Sequence, residues 1–530
     1  MNEGDVFLRP NAVVEPLFNQ WYAWAYLIAP QSSAMFVTNT HMKLMQSFAS
    51  SPQIHVNALK NPANRGGPFL ELPAERAGEV KDLYERTARE QAHVVEFAEA
   101  IKALDKLLTE QAKGNSLEAL YPKVPDVLRG FVELVYDLKD SPSIRFFEGL
   151  LYRSKYYDTG RQSVCIHVVD PDAREFVLST PRLPKAGDVF AQVPFASPVL
   201  DKLYRMRAVA GSFEEIREAL AVGPADVDTL RTFFTTQAPP PRPKFEGTKP
   251  RVRYFGHATV LIESPGVSIL VDPVVSYPHP SGPPRLSHAD LPEVIDYVVL
   301  THNHQDHFLV ETMLELRQRV RNVVIPRGSG GTLIDPSLRN AIHAIGIPNV
   351  IELDDMDALP IEGGTITALP FLGEHSDLDI RTKAGFLVKL LGKTVMLLAD
   401  TNNIEPRLYD HIHREVGDID ILFIGMECLG APMSWLYGPL FLKPPLRKND
   451  MERRLDGSDG DKGYRIVERF NPSQVYIYAM GQEPWLGHVS HIKYTEESKA
   501  IIESNKLMAR CKERGAYAER LYLTKDIEFP

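Results

Sequence analysis

At 530 residues the chain is too long for one hydrophobic core, so two or more domains are expected. Hydrophobic residues make up 44% and charged residues 24%, an ordinary composition for a soluble globular protein. The net charge of -10 repels phosphate backbones, which argues against nucleic-acid binding without a local basic groove. Three scattered cysteines, Cys165, Cys428 and Cys511, form no CxxC pair, a usage that fits a reducing cytoplasm. The opening MNEGDVFLRPNAVV has no basic stretch followed by an apolar one, so no secretory leader is expected. Residues 21–29 are apolar but about half the length of a membrane span, and read as buried core rather than as a membrane segment.

The first half is dominated by helical spacing. Across residues 78–113, Val94, Phe97, Ile101, Leu104 and Leu108 recur at three- and four-residue intervals and form one apolar helix face. Residues 117–153 read as further helix. Residues 163–169 and 175–179 read as strands of a small sheet, with His167 a core residue. No catalytic motif is visible here, and the expected role is assembly or substrate shaping. Residues 235–250, TTQAPPPRPKFEGTKP, then break the pattern with extended, proline-rich chain, so they read as a linker between domains 1–234 and 251–530.

After the break, short β runs alternate with turns and helices. Residues 251–263 and 267–272 read as a hairpin, and 296–300 as a short buried strand. Strands are also expected at 322–325, 365–369, 384–391, 394–398, 420–424 and 474–478, with helices such as 308–320 and 463–470 between them. This alternation implies a layered α/β domain. Residues 443–464, rich in both charge signs, read as a mobile surface loop able to cover a site.

The strand DYVVL runs directly into THNHQDH. In extended chain, residues two apart point the same way, so His302 and His304 converge on one point. Asp306 and His307 follow at the turn into a helix and serve a neighbouring point. Imidazoles and carboxylates bind divalent first-row metals, so these four residues are read as ligands of two ions. Three solvated loop histidines are the bland alternative, and their density after a buried strand disfavours it.

HxHxDH after a short strand resembles the metal-binding signature of the metallo-β-lactamase superfamily, over about residues 251–490. Gly256-His257-Ala258-Thr259 and Val271-Asp272-Pro273 resemble its opening hairpin. Leu397-Leu398-Ala399-Asp400-Thr401 resembles the strand whose last residue bridges the two metals. The resemblance implies an αββα sandwich behind an α+β N-terminal domain. His257 and Asp272 are expected to support the ligands rather than to ligate. The sequence also departs from the superfamily's hydrolases. Where these supply a third histidine, the loop here offers Glu374 or His375. The late strand leads into Ala479-Met480-Gly481-Gln482 with no histidine, leaving His488 and His491 as distant candidates. A site richer in hard oxygen donors suits iron and dioxygen better than zinc hydrolysis.

The length, the two-domain plan and the spacing of HxHxDH, Glu374, Asp400 and Glu427 resemble a narrower group, the di-iron β-hydroxylases of nonribosomal peptide biosynthesis. That resemblance implies two iron ions, dioxygen as co-substrate and an external electron donor. The substrate it implies is an aminoacyl thioester on a synthetase carrier domain, and the assembly a homodimer. It also implies His302, His304, Glu374 and Asp400 on one iron, Asp306, His307 and Asp400 on the other, and Glu427 as an acid beside them, with Glu374 and Glu427 as catalytic residues. Trp435, Tyr437 and Phe441 are candidates to line an aromatic substrate pocket, and Arg447, Lys448, Arg453 and Arg454 to meet an acidic carrier. The competing readings are a dinuclear zinc or manganese hydrolase of an ester, thioester or phosphodiester, and a non-catalytic binding protein. Intact HxHxDH argues against the last, and no flavin-binding domain supports an oxygen reductase.

Overall fold

A computed structural model describes residues 5–169, 172–279 and 282–529. In the first half, a four-stranded antiparallel sheet runs Trp21–Tyr22, Ala12–Phe18, Gln162–Val168, Val189–Ala191. Its strand AVVEPLF is buried along its whole length, with Glu15 in the middle. That charge is matched by Arg182 at 2.6 Å and Arg174 at 2.8 Å, and Arg174 reaches on to Glu311 at 2.7 Å in the second half. Strand Asp5–Leu8 pairs with Gly211–Ser212 and Phe234–Thr235, so the start of this half is clasped by its end.

The expected helix over 78–113 is two helices, Ala77–Glu90 and Ala92–Gln111, broken at Gln91. Val94, Phe97, Ile101, Leu104 and Leu108 form the buried stripe of the second. Residues 117–153 depart from the helical reading. They form two 3₁₀ stretches, a hairpin, Val132–Tyr136 with Pro142–Phe146, and only one short α-helix, Glu148–Leu151. Pro122 and Pro125 block a continuing helix, and Val132 and Leu134 bury on alternation. Residues 175–179 form no strand. Val177 donates its amide to the carbonyl of His488, while Glu175 is drawn into ion pairs with Arg182 and Lys185.

From Arg251 onward two seven-stranded sheets stack. The first runs Val350–Leu353, Val320–Pro326, Ile295–Val299, Val267–Val271, Thr259–Ser264, Arg251–Gly256, Lys525–Ile527. The second runs Ala358–Ile361, Gly364–Leu369, Gly385–Leu390, Lys393–Leu397, Ile421–Gly425, Gln474–Tyr478, Tyr517–Arg520. Side-chain alternation sorts residues between layers. Val260, Ile262, Ile269 and Val271 meet Phe386, Leu397 and Phe423 between the sheets. Leu261, Leu270 and Val298 face out, into one apolar cluster with the first half. Leu422 and Ile424 face the other way, against helices Arg407–Val416, Gly460–Phe470 and Lys499–Glu513. The first half therefore covers the outer face of the first sheet. Residues 251–263 are two strands rather than one. The chain reverses at Gly256 (φ +103°), where a Cβ would come within 2.5 Å of Trp485.

Residues 236–250 hold no helix or strand. Polar ties cross elsewhere between the halves. Arg317 donates to Asp201 at 2.6 Å and to the Phe195 carbonyl, and Tyr26 donates to the Ile334 carbonyl at 2.9 Å. Among the described residues, no helix is long and apolar enough to cross a membrane.

Glu148 is another tie, accepting the Ser337 amide at 3.0 Å. Burial pushes its carboxyl up to about 7. Its folded value lies above its unfolded one, so its contribution is full at low pH and is lost as pH rises through about 7. The wild type is expected to lose on the order of 3 kcal/mol of stability between about pH 5 and 8 that Glu148→Gln retains. Denaturant unfolding of both proteins across that range checks this, and equal pH slopes would refute it.

Candidate metal centre

Strand Ile295–Val299 delivers His302, His304, Asp306 and His307 to the carboxyl end of the first sheet. Glu374 follows strand Gly364–Leu369, Asp400 follows Lys393–Leu397, and Glu427 follows Ile421–Gly425. All seven therefore gather at strand ends. Several connecting residues sit in the left-handed region without being glycine: His257, Asp272, Glu374, Ser376, Ala399 and Ala479. Backbone strain of this kind persists only where surrounding structure imposes it, and it concentrates at functional sites.

Donor atoms of His302, His304 and Glu374 lie within 4.8 Å of one another. Those of His302, His307 and Asp400 form a second such group, and those of His257, Asp306 and His307 a third. His302 Nε2, His307 Nε2 and Asp400 Oδ1 are buried without a hydrogen-bond partner. Three unpartnered polar atoms converging in one buried place are costly alone and suit cations.

The ligand rings are aimed by neighbours. Asp272 accepts the Thr301 amide at 2.8 Å and the Thr301 hydroxyl at 2.6 Å, and its Oδ2 lies 2.8 Å from His307 Nδ1. A proton on Nδ1 leaves Nε2 free toward Asp400, 3.1 Å away. His257 Nδ1 accepts the Gly481 amide at 3.2 Å, so a neutral ring carries its proton on Nε2, 3.2 Å from Asp306. That tautomer makes His257 a support for Asp306 rather than a metal donor. His304 presents Nδ1 to Glu374 at 2.8 Å, and its Nε2 lies 2.7 Å from the Tyr437 hydroxyl.

Of the two candidates in the mid-domain loop, Glu374 joins His302 and His304. His375 stays outside these donor groups, its Nδ1 2.8 Å from the Tyr437 hydroxyl. Tyr437 thus touches both histidines and is fully buried against them, instead of lining a substrate pocket. Nothing in its local sequence signals this contact, which is purely tertiary. His488 is buried away from the cluster, bonded to the Trp485 carbonyl and edge-on to Tyr22. His491 lines the same chamber as the acids but lies 3.3 Å from Glu71, with its ring stacked near Phe176. His167 lies half-buried in its strand beside Glu15, and burial lowers it to about 4.

The chamber has a volume of about 300 Å³ and is lined by Asp306, Glu374, Asp400 and Glu427, with apolar walls from Phe176 and Trp435. Burial, reinforced by the charges of Asp400, Asp306 and Glu374, pushes the Glu427 carboxyl well above its usual range. Burial alone would also raise Glu374, but His304 and His375 outweigh it and hold that carboxyl well below its usual range. Tyr494, a residue the sequence reading missed, is half-buried near Glu427, and its hydroxyl is raised by burial and by that charge.

Residues 443–464 are not a plain loop. They include helix Arg447–Glu452 and the start of Gly460–Phe470. Between these helices Gly457 donates to the Glu427 carbonyl at 2.9 Å, and Leu455 and Gly457 wall the chamber. Arg453 and Arg454 are spent on the carbonyls of Ser376 and Gly430, at 2.8 and 2.7 Å, leaving Arg447 and Lys448 exposed.

Two stacked sheets with histidines and carboxylates at their strand ends define a dinuclear metalloprotein of the metallo-β-lactamase fold. Residues 268–435 match the β-lactamase superfamily domain, and residues 7–239 match the diiron non-heme β-hydroxylase N-terminal domain. The chain is 37% identical to a 4-amino-L-phenylalanyl-[CmlP-peptidyl-carrier-protein] 3-hydroxylase of Streptomyces venezuelae, over 98% of this chain and 99% of that one. The crystal structure of CmlA, a diiron β-hydroxylase from the same organism, superposes with a TM-score of 0.93 at 36% identity, covering 99% and 100% of the two chains. A metal-dependent hydrolase of Methanosphaerula palustris is 26% identical over 44% of this chain and 97% of its own length. The chain belongs to the diiron non-heme β-hydroxylase family. It is an enzyme whose cofactor is a pair of iron ions, and the unpartnered imidazole and carboxylate atoms fit that pair.

Asp272→Asn should leave the fold intact and weaken metal binding about 10- to 100-fold, since His307 loses the acceptor that aims it. Competition with a graded series of chelators measures this, and unchanged retention would refute the role.

Proposed function

We propose that this enzyme hydroxylates the β-carbon of an amino acid held as a thioester on a carrier domain of a nonribosomal peptide synthetase. The observation that carries the reading is Glu374. A carboxylate lies against His302 and His304 where related hydrolases use a third histidine, and an apolar-walled chamber opens beside it. The Streptomyces venezuelae relative, named for 3-hydroxylation of a carrier-bound aminoacyl group, supports the same substrate class.

In this reading His302, His304, Glu374 and Asp400 hold one iron, and Asp306, His307 and Asp400 hold the other. When bound, the two irons supply dioxygen activation, with electrons from an external donor. The chain's own residues do the rest. Asp272 and Tyr437 fix the rings of His307 and His304. Phe176, Trp435 and Leu436 keep the chamber dry and hold the thioester so that its β-carbon faces the metals. Glu427, a chamber acid whose carboxylate accepts no side-chain or amide hydrogen bond among the described residues, is the proton-handling catalytic residue. The first half, 1–234, serves dimerisation and shapes the substrate cavity, residues 235–250 connect it to the metal domain, and the enzyme works in the cytoplasm.

Protein purified from cells given both metals is expected to carry about two irons per chain and to hydroxylate a carrier-bound aminoacyl thioester with dioxygen. About two zincs, with ferrous iron refused under anaerobic reconstitution, would overturn the proposal in favour of a hydrolase. Glu374→Ala should abolish both iron loading and turnover, and full loading with full activity would remove Glu374 from the ligand set. Glu427→Gln should keep its iron while kcat falls about 100-fold; an unchanged kcat would assign Glu427 a packing role.

A further inference from the structure

A larger cavity of about 670 Å³ lies outside the metal chamber, between the two halves. The two spaces share Gly66, Gln305, Trp435 and Leu436, so they meet at one neck. Trp435 donates its indole N–H to the Gly66 carbonyl at 2.9 Å across that neck. Gly66 has φ +73°, and a Cβ there would approach Phe176 and Trp435 to 3.3 and 3.5 Å. The neck is therefore narrow, and its width depends on that glycine.

The outer cavity has an unusual lining for a chain of net charge -10: it contains no aspartate or glutamate. Its charged side chains are Lys43 and Lys102. Lys102 is paired with Glu99 at 2.7 Å, while Lys43 is exposed and has no ion-pair partner among the described residues. Deeper in, Ser179 Oγ and Gln305 Oε1 are buried polar atoms without a hydrogen-bond partner. Buried groups of this kind normally find one, so they point to a polar ligand in the cavity. The ligand these features describe is linear, with an anion at the outer end, hydrogen-bonding groups along its length and a reactive end at the neck.

We infer that the outer cavity seats the phosphopantetheine arm of the carrier. Its phosphate lies toward Lys43, its amides meet Ser179 and Gln305, and its thioester passes the Trp435–Gly66 neck. This rests on the proposed function for the source of the arm. Coenzyme A carries the same phosphopantetheine chemistry, and the carrier is favoured here because the relative's substrate is carrier-bound.

Calorimetry on the full-length, iron-loaded protein tests the seat, with free 4′-phosphopantetheine and its dephosphorylated form pantetheine as probes. Phosphopantetheine should bind about fivefold tighter at low salt, and the advantage should fade with added salt. Lys43→Glu should erase that advantage while leaving pantetheine binding unchanged. Leu442→Trp, at a partly exposed position in the cavity lining, should weaken both probes. Equal binding of the two probes, or affinities untouched by both variants, would overturn the proposal. Turnover of an aminoacyl-coenzyme A as fast as the carrier-bound thioester would overturn the carrier as source. Hydroxylation of a carrier-bound thioester unaffected by either variant would remove the seat and leave the proposed reaction standing. Probe binding as described, by a protein that hydroxylates nothing, would do the reverse.

Discussion

Asp306, Glu374, Asp400 and Glu427 line one largely buried chamber, and like charges in low dielectric repel unless positive charge is supplied. The local histidines supply only part of it. His307 and His304 are pulled toward their charged forms against burial, His307 chiefly by Asp400 and Asp272, and His304 by Glu374. Burial drives His302 the other way, toward neutrality. Two divalent cations satisfy the acids and free the imidazoles to act as neutral donors. The same constraint accounts for the strained loops. Each acid sits just past a strand of a rigid sandwich, and left-handed residues such as Glu374, Ala399 and Asp272 turn the chain inward immediately at the sheet edge.

The cluster is also connected to the first half of the chain. His304 contacts Tyr437, whose ring lies 6.2 Å from that of Tyr26, and Tyr26 is bonded back to the Ile334 carbonyl. Two residues before Tyr437, Trp435 forms the neck between the outer cavity and the metal chamber. The short helix Met433–Tyr437 therefore presents one residue to the substrate path and another to a metal-site histidine.

Much of this was legible in the sequence because it depends on local period. The HxHxDH spacing after a buried strand requires only that strands alternate and then turn, and the structure brings those four residues together with Glu374 and Asp400. Most strands of the sandwich were readable for the same reason. Residues 117–153 were misread where apolar content was mistaken for helical period across two prolines. The single strand expected at 251–263 hid a reversal that Gly256 makes possible and that places His257 beside Asp306. Tyr437, Tyr494 and the neck at Gly66 were not legible, because their partners lie tens to hundreds of residues away. The choice between Glu374 and His375 was equally closed to sequence, since adjacent residues in a turn point in different directions.

That choice matters for chemistry. A histidine beside His302 and His304 would make an all-nitrogen set of neutral donors, which favours a Lewis-acidic metal and an activated water. A glutamate adds negative charge and a hard oxygen, and a carboxylate can bind through one or both oxygens as the metal's needs change. Here Glu374 Oε1 lies 2.8 Å from His304 Nδ1 and Oε2 lies 2.9 Å from His375 Nδ1. The neighbouring His375 is bonded to Tyr437, which keeps its Nδ1 occupied. The left-handed turn at Glu374 (φ +62°) is what sets its carboxylate, rather than the next side chain, against His304 Nδ1.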